Sequence, residues 1–254
     1  MAFLYVAAEA SELQPFTELL TGVRKLKWPV DYAYEGIWEG RRMLLAANGA
    51  GPKLAADVVE VAIRAGMVAE LSSSRLEAVI STGYCGALSP DLRESQIVIG
   101  SEVVDRATGE HFPCAEVESS RDFVIGAVVS QNEIANTAAA KQQLSSTRAL
   151  VVDMESAGVA ARAKRAGLPF ACVKVVSDLA GESFPFDLNA MRTAEGRIAR
   201  GKIVLHALTH PNLIPALFRL KKRTDDAGKA LGDFLVSCRI NTESKTSEPG
   251  TTDS

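Results

Sequence analysis

The sequence predicts an α/β fold in which strands and helices alternate around a largely parallel or mixed sheet. Short apolar runs rich in β-forming residues recur between stretches with helical periodicity, and several of these runs end at glycine turns. With 254 residues, the chain is long enough to bury a large core without disulfides. The alternation indicates one layered α/β structure with no internal repeat.

The predicted elements follow one another from the N-terminus to about residue 178. In order they are a strand at 3–8, a helix in SELQPFTELL, a strand at 41–48, a helix at 53–71, strands at 76–83, 96–105 and 122–130, a helix after VVDMES (151–156), and a strand at 170–178. The turn NGAG (48–51) separates the second strand from the long amphipathic helix. Gly167 followed by Pro169 is a helix stop signal that ends the last of these helices.

The chain divides into three parts by composition. Residues 1–210 are predicted to form the main folded domain, and 211–238 a peripheral extension of one or two amphipathic helices. Residues 239–254 are polar and nearly free of apolar side chains, which predicts a disordered tail.

Composition and charge argue against several classes of function. The net charge of −3 gives no electrostatic case for binding nucleic acid or an anionic membrane. The four cysteines and three histidines lack metal-ligand spacing, so neither a metal site nor any other cofactor is expected. The N-terminus does not resemble a signal peptide, and no apolar run approaches the ~18 residues that a membrane span needs. A reducing cytoplasm is the expected location.

Three acidic residues follow predicted strands or begin helices. Ligands in open α/β sheets bind beyond the carboxyl ends of the strands, where Glu12, Glu155 and Asp178 are expected to converge. Each acid also has a purely structural interpretation. Glu12 and Glu155 suit the first turn of a helix, where free N–H groups favour negative charge, and Asp153 and Asp178 suit helix caps.

A set of carboxylates without metal ligands suits cleavage of a ribosyl C–N bond. Such cleavage passes through an oxocarbenium-like state with positive charge on the sugar. One carboxylate can activate water and another can hold the ribose hydroxyls. A protonated acid can donate to the departing base, and each such group contributes ~10²–10⁴ in rate.

The turn segment NGAGPKLAA (48–56) looks at first like a nucleotide-binding motif. Leu54 stands where a dinucleotide fingerprint requires glycine, and the GK[ST] of a phosphate loop is missing. A tight connection between strand and helix is the simpler interpretation, although its N–H groups and the helix start near Pro52 could approach a ligand.

Five motifs in order resemble those of the nucleoside phosphorylase/nucleosidase superfamily. VVDMES is similar to the family's V-E-M-E ribose motif, VKVVSD (173–178) to R-x-I-S-D, and ISTGYCGAL (80–88) to N-T-G-S-A-G-G-L. AANGAGPKLAA is similar to S-G-I-G-K-x-N-A-A, and VAAEASEL to A-M-E-E-E. Within the superfamily, the chain resembles 5′-methylthioadenosine/S-adenosylhomocysteine nucleosidases and, in its HPNLIPALFRL stretch, hopanoid-associated phosphorylases.

The resemblance, which covers residues 3 to 208, implies a single three-layer α/β/α domain with a mixed, mostly parallel twisted sheet. It implies that Glu12 positions the attacking water and that Asp178, supported by Ser177, assists departure of a purine at N7. Met154 and Glu155 would hold the ribose. The remaining substrate-binding residues that it implies are Gly83, Tyr84, Asn48, Gly49, Ile134 and Lys174. It also implies a homodimer.

Three of these residues depart from the family pattern. Lys174 stands where an arginine is usual near the water or phosphate site, so the planar fork is lost. Tyr84 replaces a small serine and is expected to narrow that pocket, and Ile134 replaces a phenylalanine that stacks on adenine. The changes at Tyr84 and Ile134 also motivate an alternative, a nucleoside-binding protein without activity.

The choice between hydrolysis and phosphorolysis depends on cationic side chains. Phosphorylases of this superfamily typically carry an arginine just before the third-strand glycine turn, where this chain has Ile80, Ser81 and Thr82. Hydrolysis of a 5′-modified adenosine is therefore expected, since Glu12 would repel phosphate. Phosphorolysis stays open because Lys174 and the 48–51 turn could hold an anion.

Overall fold

The computed structural model describes residues 1–68, 75–193, 197, 199 and 209–242. Its strands are β1 Ala2–Ala7, β2 Thr21–Lys25, β3 Tyr32–Trp38, β4 Arg41–Ala47, β5 Leu76–Ala87, β6 Ile97–Asp105, β7 His111–Pro113, β8 Val117–Glu118, β9 Val124–Ser130, β10 Val151–Asp153, β11 Phe170–Asp178 and β12 Arg239–Ile240. Its helices are α1 Ala10–Thr17, α2 Pro52–Val68, α3 Ala138–Ser145, α4 Ser156–Arg165 and α5 Ile214–Leu235.

Ten strands form one sheet in the order β10-β9-β6-β11-β5-β1-β4-β3-β2, with β7 beside β6. Strand β10 also pairs with β5, so β5, β11, β6, β9 and β10 close into a barrel-like ring. Five strand pairs are parallel: β1–β4, β1–β5, β5–β11, β6–β9 and β9–β10. Five are antiparallel: β2–β3, β3–β4, β5–β10, β6–β7 and β6–β11.

The α/β class and the mixed character of the sheet are confirmed, but the sheet is not mostly parallel, because half of its strand pairs are antiparallel. The hairpin of β2 and β3 adds antiparallel pairs at one edge. At the other edge, the three residues of β10 lie antiparallel to β5 and close the ring. A ring closed in this way has no free edge between β9 and β5.

Helices cover both faces of the sheet. Alternate residues of β1 point to opposite sides, so Leu4 packs with α2 and α4 in one core cluster. Tyr5 packs with α1 and α5 in the other, where its ring meets that of Phe16 edge-on at 5.0 Å. Packing in these two clusters holds the helices against the sheet, and so sets the positions of the helix N-termini relative to the ends of the strands.

Helix α5 is anchored in the core through its second half. Leu231, Phe234 and Leu235 are buried against the cluster that contains α1, whereas Phe218 in the first half is 69% exposed. After α5, Arg239 and Ile240 pair with β8, so the predicted disordered tail does not begin at residue 239. The rest of that tail, 243–254, lies outside the described residues, and the assignment of 211–238 to a separate extension stays a prediction. Within the described part of the chain, no helix is both long enough and apolar enough to cross a bilayer.

Replacing Leu231 by alanine should lower the free energy of unfolding by about 2–5 kcal/mol, because the substitution leaves a cavity between α5 and α1. Phe218→Ala on the same helix is the matched control and should change it by less than about 0.5 kcal/mol. Urea unfolding measures both. A loss as small as that of the control for Leu231→Ala would contradict the placement of α5 in the folded core.

Candidate active site

The second half of β5 organises the site. Gly83 has a φ of +113°, a conformation that favours glycine, and a Cβ at this position would lie 2.5 Å from Glu12 Oε1. The absent side chain lets the Glu12 carboxylate approach the strand, where its Oε1 accepts a hydrogen bond from Tyr84 N at 2.7 Å. The glycine predicted to bind substrate therefore makes room for the predicted catalytic acid.

Glu12 is buried in the first turn of α1. Its Oε2 accepts a hydrogen bond from the backbone N–H of Glu9 at 2.7 Å, so the side chain also caps its own helix. Burial raises the pKa of Glu12 to about 7, against the opposing effects of its two N–H donors and of Lys174. A carboxyl with that pKa is suited to accept a proton from water near neutrality.

Glu155 lies at the start of α4 and faces the same region. Its Oε1 accepts a hydrogen bond from Gly51 N at 3.0 Å, across the turn that opens α2. Burial and the charge of Asp153 raise the pKa of Glu155 to about 8, and the charge of Glu12 contributes in the same direction. Glu12 and Glu155 are therefore close enough to influence each other's ionisation.

A fully buried ion pair lies beneath these two acids. Lys174 Nζ is 2.7 Å from Asp153 Oδ2 and donates to Thr82 O at 3.0 Å. Burial opposes charge on both partners, but their mutual attraction outweighs it. The pKa of Lys174 is raised well above its ordinary value, and that of Asp153 is lowered. The expectation that Lys174 could hold phosphate loses its basis because the ammonium is already paired.

Asp153 also has the capping role that its sequence position suggested. Its Oδ2 accepts hydrogen bonds from Ser156 N at 3.0 Å and from Ser156 Oγ at 2.6 Å. In VVDMES, the first acid thus supports the fold and the second faces the site.

Asp178 ends β11 farther along β5. A Cβ added at Gly86 would lie 3.0 Å from Asp178 Oδ1, three residues beyond the glycine that meets Glu12. Ser177 Oγ donates to Asp178 Oδ2 at 2.8 Å, so the predicted support by Ser177 is observed as a hydrogen bond. Asp178 Oδ1 forms an ion pair with Lys141 of α3, a buried residue that the sequence analysis did not single out.

The remaining predicted residues make contacts of other kinds. Asn48 Oδ1 accepts a hydrogen bond from Arg197, and Gly49 N donates to Ala8 O at 2.8 Å. Met154 is buried between Asp153 and Glu155. The backbone of Ile134 exchanges hydrogen bonds with the Asn189 side chain, at 2.9 and 3.0 Å.

The side chain of Tyr84 lies against α5, and its expected effect on the width of the pocket stays a prediction. Its ring packs with the core cluster on the side of α5, and its hydroxyl donates to Thr224 O at 2.8 Å. The backbone N–H of Tyr84 donates to Glu12 Oε1. The bulk of this side chain is therefore accommodated between β5 and α5.

Two arginines that the sequence analysis did not consider cover the turn at 48–51. Arg192 Nη2 donates to Ala50 O at 3.3 Å and to Asn132 Oδ1 at 3.2 Å. Arg197 binds Asn48 Oδ1 at 3.1 Å and is paired with Asp31. Neither belongs to a motif, and only the fold brings them to this turn. No group of three potential metal ligands occurs among the residues for which coordinates are described.

A comparison with models of protein families identifies the superfamily of this chain. The model of the phosphorylase superfamily matches residues 5–120 and 113–208. The chain belongs to this superfamily. A search of curated protein sequences gave no match.

Solved structures share the fold at low sequence identity. S-adenosylhomocysteine nucleosidase from Streptococcus pyogenes, in complex with 5-methylthiotubericidin, is 18% identical with a TM-score of 0.69, over 93% of this chain and 94% of that one. Futalosine hydrolase of Helicobacter pylori is 16% identical with a TM-score of 0.67, over 92% and 95%. The 5′-methylthioadenosine/S-adenosylhomocysteine nucleosidase from Neisseria meningitidis is 19% identical with a TM-score of 0.65, over 92% and 98%.

Replacing Lys174 by methionine should destabilise the protein by about 3–5 kcal/mol, because Asp153 would remain as an unpaired buried charge. The matched control is Lys222→Met. It removes an exposed pair with Asp226 on α5 and should leave the stability unchanged within the error of the measurement. Chemical denaturation at pH 7 gives both values. A loss below about 1 kcal/mol for Lys174→Met would contradict the importance of the buried pair.

Proposed function

We propose that the protein hydrolyses the N-glycosidic bond of a purine nucleoside. The observation that supports the proposal most is that two of the acids meet the second half of β5, Glu12 beside Gly83 and Asp178 beside Gly86. Glu155 lies close enough to Glu12 for their charges to interact. Membership of the phosphorylase superfamily supports the reaction class, since bond cleavage at the anomeric carbon is what the carboxylate set suits.

Each acid has a distinct part in the proposed reaction. Glu12 takes a proton from the attacking water, for which its elevated pKa near neutrality is suitable. Glu155 and Met154 hold the ribose, and the negative charge of Glu155 favours the cationic sugar in the transition state. Asp178 faces the departing base, at a distance from Glu12 set by three residues of β5.

The substrate class that we propose is a 5′-modified adenosine, either of the methylthioadenosine or adenosylhomocysteine type or linked to a hopanoid. The similarity of fold to S-adenosylhomocysteine nucleosidase supports the first type, and the similarity to futalosine hydrolase supports hydrolysis of a modified nucleoside more generally. A cytoplasmic homodimer is part of the same proposal and rests on the sequence resemblance.

Phosphorolysis is the second candidate. Arg192 and Arg197 place two guanidinium groups beside the 48–51 turn, and guanidinium groups are well suited to phosphate. Arg197 is already paired with Asp31, and Lys174 with Asp153, so much of the positive charge near the turn is neutralised. Hydrolysis therefore remains the preferred reaction.

Base release from methylthioadenosine, adenosylhomocysteine and adenosine should proceed in phosphate-free buffer. Chromatography detects the free base, with and without added phosphate. Glu12→Gln and Asp178→Asn should each lower kcat/KM by ~10²–10⁴. Glu18→Gln, a change at an exposed residue directly after the helix that carries Glu12, should leave the rate unchanged.

The outcomes separate the alternatives. A strict requirement for phosphate, with ribose 1-phosphate as product, would establish phosphorolysis. Binding of a nucleoside without turnover by the parent protein would establish the binding module. Turnover that survives both Glu12→Gln and Asp178→Asn would show that the acids are not the catalytic groups.

The pH dependence follows from the two raised pKa values. Glu12 must be ionised to accept a proton, and its pKa is about 7, so kcat/KM should rise with pH and level off above that value. Ionisation of Glu155, with a pKa of about 8, should extend the rise of kcat/KM to higher pH. Rates measured between about pH 5 and 9 test this. A plateau already reached at pH 5 would mean that neither carboxyl is perturbed in the working enzyme.

A further inference from the structure

A cavity of about 390 Å³ lies on the α5 side of the sheet, at the end where β1 and β4 begin. Its walls come from the hairpin of β3 and β4 and from residues 236–240, which follow α5. Its floor consists of neighbouring side chains of β1 and β4, namely Phe3, Tyr5 and Met43. Among the described residues that line it, none belongs to the candidate active site. The cavity is therefore a separate feature of the fold.

Trp38, which lines this cavity, has a buried hydrogen-bond donor without an acceptor. Its indole Nε1–H is enclosed, and no partner for it occurs in the part of the chain that has described coordinates. Burial of an N–H group is unfavourable unless an acceptor replaces the lost water, so such groups are usually paired. Tyr5 is also buried, which raises the pKa of its hydroxyl well above the ordinary value and keeps that group a donor at neutral pH. Both donors can bind an acceptor on a ligand.

Two arginines give the cavity a positive charge. Arg41 extends from β4, and its guanidinium lies over the ring of Phe3, 5.6 Å from the centroid. Arg239 of β12 lies in the wall formed by residues 236–240. Neither arginine forms an ion pair with a described residue, and Glu39 is the one acid in the described part of the lining. One positive charge is thus in excess, and guanidinium groups bind oxyanions through two parallel hydrogen bonds.

The C-terminal end of α5 borders the same cavity. Free carbonyl groups at a helix C-terminus carry partial negative charge and would repel an anion. Two of the last carbonyl oxygens already accept hydrogen bonds from within the chain. Ser237 Oγ donates to Phe234 O at 2.8 Å, and Cys238 Sγ donates to Leu235 O at 3.4 Å. This wall therefore offsets little of the positive charge of the two arginines.

We propose that this cavity binds a small molecule in which an oxyanion, carboxylate or phosphate, is attached to a flat apolar ring. The guanidinium groups of Arg41 and Arg239 hold the oxyanion, and one of its oxygens is the acceptor that Trp38 Nε1–H lacks. The ring lies on the apolar floor. The volume is in the range of sites for small molecules. This site lies beyond the proposed function and does not depend on it.

The two tryptophans of the chain provide a direct test. Trp38 lines the cavity, whereas Trp28 packs against the core cluster on the opposite face of the sheet and is the internal control. In ¹⁵N-labelled protein each indole N–H gives one NMR cross-peak, and Trp28→Phe identifies the two peaks. Titration with benzoate and with phenyl phosphate should move the Trp38 peak downfield, because its N–H gains an acceptor. The Trp28 peak should stay in place.

Substitution of the arginines tests the role of charge. Arg41→Ala and Arg239→Ala each remove charge-assisted hydrogen bonds and should raise the Kd of the two anions ~10–100-fold. Arg165→Ala is the matched control, since it removes an exposed arginine from α4 on the opposite face of the sheet, and it should leave the Kd unchanged. Arg41 and Arg239 are also exposed, so their substitution should not disturb folding. Benzyl alcohol, which keeps the ring but has no charge, should not move the Trp38 peak.

The results either support the site or overturn it. A shift of the Trp38 peak with one anion and not with the other supports the site and identifies the oxyanion. The inference fails if neither anion moves this peak, if benzyl alcohol moves it equally, or if the Trp28 peak moves with it. It also fails if both arginine variants keep the Kd of the parent. Turnover of a nucleoside is not part of the measurement, so failure of the proposed function would leave this test unaffected.

Discussion

The buried ammonium of Lys174 is the group on which the arrangement of the site depends. It is fully enclosed and pairs with Asp153. Its positive charge also opposes the effect of burial, which raises the pKa of both Glu12 and Glu155. Without this cation, the carboxyl groups of Asp153, Glu12 and Glu155 would repel one another strongly in a low-dielectric interior. The single positive charge of Lys174 allows the fold to keep the three carboxyl groups together. Because one cation cannot neutralise three carboxylates, Glu12 and Glu155 have pKa values near neutrality.

Closure of the sheet accounts for the position of Glu155. Val152 of β10 lies opposite Gly86 of β5, and the two strands run in opposite directions. The chain leaving β10 therefore travels back along β5 toward Gly83, which brings Glu155 close to Glu12. In an open parallel sheet, all chain ends would point the same way, and this return would be missing.

Much of the fold could be predicted from the sequence because its strands are apolar and bounded by glycine turns. Strand β2 was missed because all five of its residues are exposed and show no alternation. Helix α3 was missed because AAAKQQLS has only a weak apolar face. Strand β10 is three residues long, and its pairing, which closes the ring, has no local sequence signal.

The same limit applies to the site. Glu12, Glu155 and Asp178 could be found because each follows a strand or begins a helix within a motif. Lys141 could not be found, because a lone lysine in a short polar helix gives no sign that it will form a buried ion pair with an acid 37 positions later. The arginines at 192 and 197 come from a segment without periodicity, and their contacts depend on tertiary structure alone.

Helix α5 combines two properties that are usually found in separate elements. Its second half is locked into the interior, while its first half forms one wall of the hollow beside Asp178 and is otherwise solvated. Residues such as Ala216 and Leu220 can therefore vary with little effect on folding while changing the shape offered to a substrate. Substitutions in the first half of α5 could therefore change which nucleoside binds without altering the acids or the lysines paired with them.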